Sequence, residues 1–76
     1  MNNIRSDVGN LIKEKRIKSG LSQEAFALLA KVDRSYMGRI ERGKANITIE
    51  LLYKLAFVLN CEVFELLPKS SIKSID

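Results

Sequence analysis

The 76-residue chain has no histidine, no tryptophan, one cysteine and one proline. Each scarcity removes a class of chemistry. Without histidine there is no ordinary general base near neutral pH and no imidazole ligand, so no ordinary zinc cluster can be assembled. A lone cysteine, Cys61, excludes an intrachain disulfide. No basic residue lies beside it in sequence to favour a reactive thiolate, and it follows a helical stripe among apolar neighbours, which suits a small core filler. The acidic residues form no paired setting for acid–base work beyond one expected ion pair. These absences predict a protein that is not an enzyme and needs no metal or cofactor. No apolar run approaches the roughly 20 residues of a membrane span. The opening MNNIRSD lacks the charged-then-apolar design of a secretory signal, so the expectation is a cytoplasmic protein with no membrane partner.

The hydrophobic content, 46%, argues against disorder. Such a length suits one domain, near the lower size at which a core suffices without staples, and leaves no room for a second, catalytic one. The expectation is a single domain over residues 1–69 and a short, frayed, Ser/Lys-rich tail over 70–76. Net charge is +4 and unevenly spread: residues 1–44 carry ten Lys/Arg against five Asp/Glu, residues 45–76 three against four. A polyanion is the natural partner of the basic half, because each neutralised phosphate releases condensed counterions. A membrane surface would attract the charge too, yet no helix pairs a long apolar face with a lysine-rich one.

The basic half contains the most informative stretch, LSQEAFALLAKVDRSYMGRIERG at residues 21–43. Ser22 and Asp33 each stand before a short helical pattern as a side-chain acceptor for its first free N–H groups. Lys31 and Val32 leave room only for a tight turn. Two helices joined this closely make a helix-turn-helix, whose second helix commonly lies in a DNA major groove. At about 100° per residue, Arg34, Ser35, Gly38, Arg39 and Arg42 fall on one polar arc, while Tyr36, Met37, Ile40 and Glu41 fall on the other. Glycine in the middle of the basic arc leaves space where a side chain would hold a partner's surface away. A merely solvated helix would more often mix Glu with Lys there.

Around this pair the chain reads as further helices. The first is expected from about residue 6 or 7 to 18, with Ile4, Val8, Leu11 and Ile12 on one stripe and Gly20 ending it. Arg16 lies at the stripe's margin; Ile17 lies off it without explanation. Helix two, about 23–31, buries some combination of Phe26, Ala27, Leu29 and Ala30, with Ala27 small where helices cross. Gln23, at its first position, either faces a phosphate or merely assists the cap. Gly43 is placed for a left-handed cap, leaving Lys44 and Asn46 where a DNA backbone would pass. Thr48 caps helix four, whose core stripe is Leu52, Leu55, Ala56 and Leu59. Asn60 tolerates the left-handed conformation that ends it. Helix five, about 63–67, is stopped by Pro68.

Residues 8–67 resemble the DNA-binding domain of lambda/434-type repressors, the XRE family. The resemblance is carried by Arg16, GLSQE at 20–24, Ala27, RSYMGRIERGK at 34–44, LLYKLAFVLNC at 51–61 and VFELL at 63–67. The short length, the RSY and IERG runs and the NITIE segment look most like the controller proteins of restriction-modification systems. The resemblance implies an all-α, compact five-helix domain with the helix-turn-helix at helices two and three. It also implies an Arg16–Glu41 ion pair joining helix one to the reading helix, and lets Gln23 approach a base edge. Most family members carry proline near Ile47 or Thr48, which this chain lacks, so its loop is expected to be less rigid.

The function so implied is a sequence-specific regulator of transcription, bound as a homodimer to a partly palindromic operator in double-stranded DNA, with no small-molecule effector evident. Arg34 and Arg39 are the best base readers, since a guanidinium can bond O6 and N7 of guanine together. Ser35, Gln23 and Tyr36 join them, while Ser22, Arg42, Lys44 and Asn46 are expected on phosphates. Leu51, Phe57, Val58, Phe64 and Leu67 are apolar beyond the evident needs of so small a core. They either form a two-fold dimer contact or complete the monomer core. The rival reading is an antitoxin, which would bind DNA with the same domain and cover a toxin with this apolar surface.

Overall fold

Asn3, Ser22, Asp33 and Thr48 each turn a side-chain oxygen back onto the first turn of a helix, accepting from Arg5 and Ser6, Ala25, Tyr36 and Leu51 respectively. These caps satisfy otherwise free N–H groups and set the start of every α-helix in the computed structural model, which describes residues 3–69. The helices are α1 (Ile4–Lys18), α2 (Gln23–Ala30), α3 (Arg34–Glu41) and α4 (Ile49–Val58), followed by a 3-10 turn over Val63–Leu66. There is no strand among the described residues. The expected tail at 70–76 lies outside them.

Two boundaries differ from expectation for local reasons. Helix α1 begins earlier than residue 6 or 7 because Asn3 is its cap; Ile4 then sits in the first turn and is exposed. Helix α2 ends at Ala30 because Lys31 takes the left-handed conformation, φ 57°, letting Val32 N–H reach back to the Ala27 carbonyl at 2.9 Å.

The fifth helix is a correction: the segment is a single 3-10 turn, giving four α-helices. Left-handed Asn60 closes α4 on one side. On the other, Pro68 lacks an N–H and drives the residue before it out of the helical region, so Leu67 is extended at φ −107°, ψ 138°. Between these stops lie residues 61–66, of which only Val63–Leu66 are helical, in the tighter i to i+3 bonding that short runs use.

The core is drawn from every element. Ile12, Phe26, Met37, Ile40, Leu55 and Leu66 are fully buried, each worth about 1.5–3 kcal/mol of apolar transfer. Val8, Ala27, Ala30, Ala45, Ala56 and Leu59 fill in between them, and Leu11 and Leu52 are half-buried. Leu28 and Leu29 face outward from α2, and Ile17 from α1. Half-buried Cys61 packs against the core, where burial pushes its thiol pKa up and away from thiolate chemistry.

Helix α1 lies across the end of α3, and two glycines allow it. A Cβ on Gly9 would run into the carbonyl oxygens of Ile40 and Glu41; one on Gly43 would stand 2.6 Å from the Ser6 Cα. Gly43 also needs its positive φ of 75° to turn the chain out of α3. A surface ion pair, Lys15 Nζ to Glu65 Oε1 at 2.6 Å, ties α1 to the 3-10 turn. That hydrogen bond raises the lysine pKa and lowers the glutamate's.

The Gly9 contact is with backbone and cannot be relieved by a rotamer. Gly9→Ala should therefore destabilise the fold by about 1–3 kcal/mol in urea unfolding, despite alanine's better helix propensity. A variant as stable as the parent would show that α1 and α3 separate freely.

Candidate nucleic-acid interface

Helix α3 is short and strictly two-faced. Met37, Ile40 and Glu41 are buried, whereas Arg34, Ser35, Arg39 and, at the cap, Arg42 are exposed. The basic arc thus looks outward from the bundle. Gly38 is buried although it lies on that arc, because neighbouring side chains roof it. An ideal Cβ there would lie 3.0 Å from Arg42 Nη1 and 3.5 Å from Gln23 Oε1. Gln23, Arg34, Ser35, Gly38 and Arg42 line a polar concavity of about 220 Å³ between the two helices of the motif.

The arc is aimed by one buried ion pair. Arg16 Nε donates to Glu41 Oε2 at 2.7 Å and its Nη2 to Oε1 at 3.0 Å, a two-pronged contact between side chains only 11% and 2% exposed. The remaining arm of the guanidinium, Nη1, donates to the Leu21 carbonyl at 2.9 Å, and Gln23 Nε2 adds a third bond to Glu41 at 3.1 Å. Glu41 therefore joins α1, the turn before α2, the first residue of α2 and the last of α3. Removing one partner strands a buried charge, a loss of about 3–5 kcal/mol. Gln23 is thus part of this network and not of the α2 cap, which Ser22 alone makes through its side chain.

Around the arc, Tyr36 is half-buried. Its hydroxyl donates to the Asn46 carbonyl at 3.0 Å, and the Arg39 guanidinium carbon lies 5.6 Å from its ring centre, within cation–π range. Tyr36 thereby supports both Arg39 and the loop. Buried Ala45 and half-buried Ile47 anchor that loop from inside. Lys44 and Asn46 are exposed beside the end of α3. Ser22 is exposed; its Oγ accepts from Ala25 N–H, which leaves the hydroxyl hydrogen available to an outside acceptor.

Of the apolar residues singled out in sequence, Phe57, Phe64 and Leu67 are exposed, whereas Leu51 and Val58 are half-buried against the core. The structure adds Ile49 and Tyr53, both exposed. With Phe57 they follow the i, i+4 spacing that marks one side of α4. That spacing was available in sequence, but Ile49 and Tyr53 blend there into a largely apolar stretch broken only by Glu50 and Lys54.

The family model described as helix-turn-helix matches residues 12–66. The chain belongs to the helix-turn-helix family. Among helix-turn-helix proteins it is 39% identical over 67 residues to the control protein C.MunI of a Mycoplasma species, covering 87% of this chain and 90% of that one. It is 32% identical over 71 residues to the control protein C.SmaI of Serratia marcescens, covering 93% and 84%. The crystal structure of the restriction-modification controller protein C.AhdI from Aeromonas hydrophila superposes with a TM-score of 0.77 at 43% identity, over 80% of this chain and 92% of that one. No helix among the described residues is long and apolar enough to cross a membrane.

Gly38 differs from Gly9 in what its missing side chain would meet: the end of a flexible arginine, not backbone. Gly38→Ala should keep the fold and raise its stability by up to about 1 kcal/mol through helix propensity. Thermal unfolding tests this, and a clear loss of stability would mean that the roof over Gly38 is rigid.

Proposed function

We propose that this chain is a sequence-specific regulator of transcription of the restriction-modification controller type, a cytoplasmic, non-enzymatic protein that binds a partly palindromic operator as a homodimer. The observation carrying this reading is the outward basic arc of α3, held in place by the buried Arg16–Glu41 pair. An eight-residue helix fits a major groove, and its two arginines, with Arg42 at the cap, carry no acidic neighbour on the exposed arc.

Within that groove Arg34 and Arg39 read guanine edges, and Ser35 bonds a base or a phosphate. Tyr36 has its hydroxyl engaged with the loop, so its contribution is to steady Arg39 and to offer ring surface to a thymine methyl. Ser22, exposed at the cap of α2, and Lys44 and Asn46, exposed beyond the end of α3, position the protein on phosphates. Arg42, folded over Gly38, serves a phosphate at the edge of the same concavity.

Arg39→Ala should cost about 1–3 kcal/mol at the preferred operator and relax the base preference at one position. Lys44→Ala should weaken all sequences alike and lower the salt dependence of binding by about one charge. Competition among several duplexes across a salt series distinguishes the two; a uniform loss in both variants would overturn the division of roles.

The homodimer reading rests on exposed Ile49, Tyr53 and Phe57 along one side of α4, together with exposed Phe64 and Leu67. Burying it against a second copy about a two-fold axis would set two α3 helices roughly one DNA turn apart. Phe57 is 84% exposed, so Phe57→Glu should leave the monomer folded and abolish dimerisation in sedimentation at micromolar concentration. A parent protein that stays monomeric with and without operator DNA would remove this part of the proposal and favour a different protein partner for that face.

A further inference from the structure

We propose that Gln23 is a specificity determinant which selects, at one position of each half-site, a base that donates into the major groove, adenine or cytosine, over guanine or thymine. This rests on the DNA-reading orientation of α3 proposed above and goes beyond it by naming the edge that is read and what fixes the reader.

The argument begins with what a carboxylate can accept. Ionised Glu41 has no hydrogen to give, so the Gln23 atom 3.1 Å from its Oε1 must be the amide nitrogen. The amide is planar, and its oxygen is therefore directed away from the ion pair. That oxygen, Oε1, stands 3.5 Å from the point a Gly38 Cβ would occupy, at the wall of the concavity shared with Arg34, Ser35 and Arg42. Both arginines can only donate and Ser35 can do either, so Gln23 is the lining side chain that offers the groove a fixed acceptor.

In the major groove adenine N6 and cytosine N4 donate, whereas guanine presents O6 and N7 and thymine O4, all acceptors. A free glutamine suits either kind by flipping its amide. Gln23 cannot flip without setting its oxygen against Glu41, whose side chain is 2% exposed and would lose a hydrogen bond with no water to replace it. Arg16 holds Glu41 by two bonds and so prevents the carboxylate from moving aside. Gly38 completes the arrangement, since any side chain there would cover the oxygen. Arg16, Glu41 and Gly38 act as positioning residues, and Gln23 makes the contact.

Selection from a pool of random duplexes with the parent protein, Gln23→Ala and Gln23→Met tests the proposal; methionine keeps the length without the hydrogen bonds. The parent should enrich adenine or cytosine roughly tenfold over guanine and thymine on one strand at one position per half-site. Both variants should lose that preference and retain the others. In the free parent protein the Gln23 side-chain amide protons should exchange with solvent more slowly in NMR than those of exposed Asn46. The proposal fails if the variants keep every preference, if they lose affinity equally for all sequences, as loss of a neutral phosphate contact would, or if the Gln23 amide exchanges as fast as that of Asn46. A parent that enriches no sequence would overturn the DNA-reading function as well, which separates that failure from this one.

Discussion

A carboxylate sealed from water must be surrounded by donors, and Glu41 draws its donors from the elements that have to agree if α3 is to be presented correctly. Arg16 comes from α1, Gln23 from α2, and the arginine's third bond holds the Leu21 carbonyl in the turn between them. Such a pair is weak grounds for stability, because desolvating two charges cancels much of their attraction and apolar replacements are often as stable. Its effect here is on geometry. Apolar side chains such as Ile12, Met37 and Ile40 tolerate a small sliding of one helix over another, whereas a two-pronged bond at 2.7 and 3.0 Å does not. The same atoms that fix α3 against α1 therefore fix the angle at which the arginines leave the surface.

Close approach reinforces that constraint. Gly9 and Gly43 let α1 lie directly on the backbone at the end of α3, so the helix carrying Arg16 cannot drift from the helix carrying Glu41. The basic face of α3 is held in the same way at its far edge, where the Tyr36 hydroxyl bonds the loop carbonyl of Asn46 and the Tyr36 ring backs Arg39. Side chains already placed lose less rotamer freedom on binding, and more of each contact survives as affinity.

What was legible in the sequence is what depends on neighbours a turn or less away. The caps Ser22, Asp33 and Thr48, the glycine stop at Gly20, the left-handed Asn60 and the two faces of α3 follow from local hydrogen bonding and the 3.6-residue period. Gly9 was illegible because a periodicity argument scores side chains, and a glycine inside a helix registers only as a cost until the backbone opposite is known. The Gln23 bond to Glu41 spans 18 positions and has no local signature. Helix five was overextended because VFELL has helical composition, while the stops on either side leave it one tight turn. Apolar residues were the least decidable: Leu29 is exposed while Leu51 and Val58 pack on the core, and nothing in their spacing separates them.

The size of α3 bears on why a second copy matters for the proposed function. One such helix offers three or four side chains to base edges, and each good contact discriminates by about 1–3 kcal/mol. Finding one operator among a genome of competing sites takes about 4–10 kcal/mol over non-specific binding, so a single copy whose contacts fall at the weak end of that scale, about 3–4 kcal/mol in all, does not secure it. Non-specific attraction cannot make up the difference, because the basic half of the chain favours every phosphate equally. Two copies joined through the α4 face add their base contacts, while the linkage removes most of the entropy lost in placing the second helix. In that proposal the exposed ring of Phe57 and the exposed guanidinium of Arg39 serve one requirement, with one face for DNA and another for a second copy.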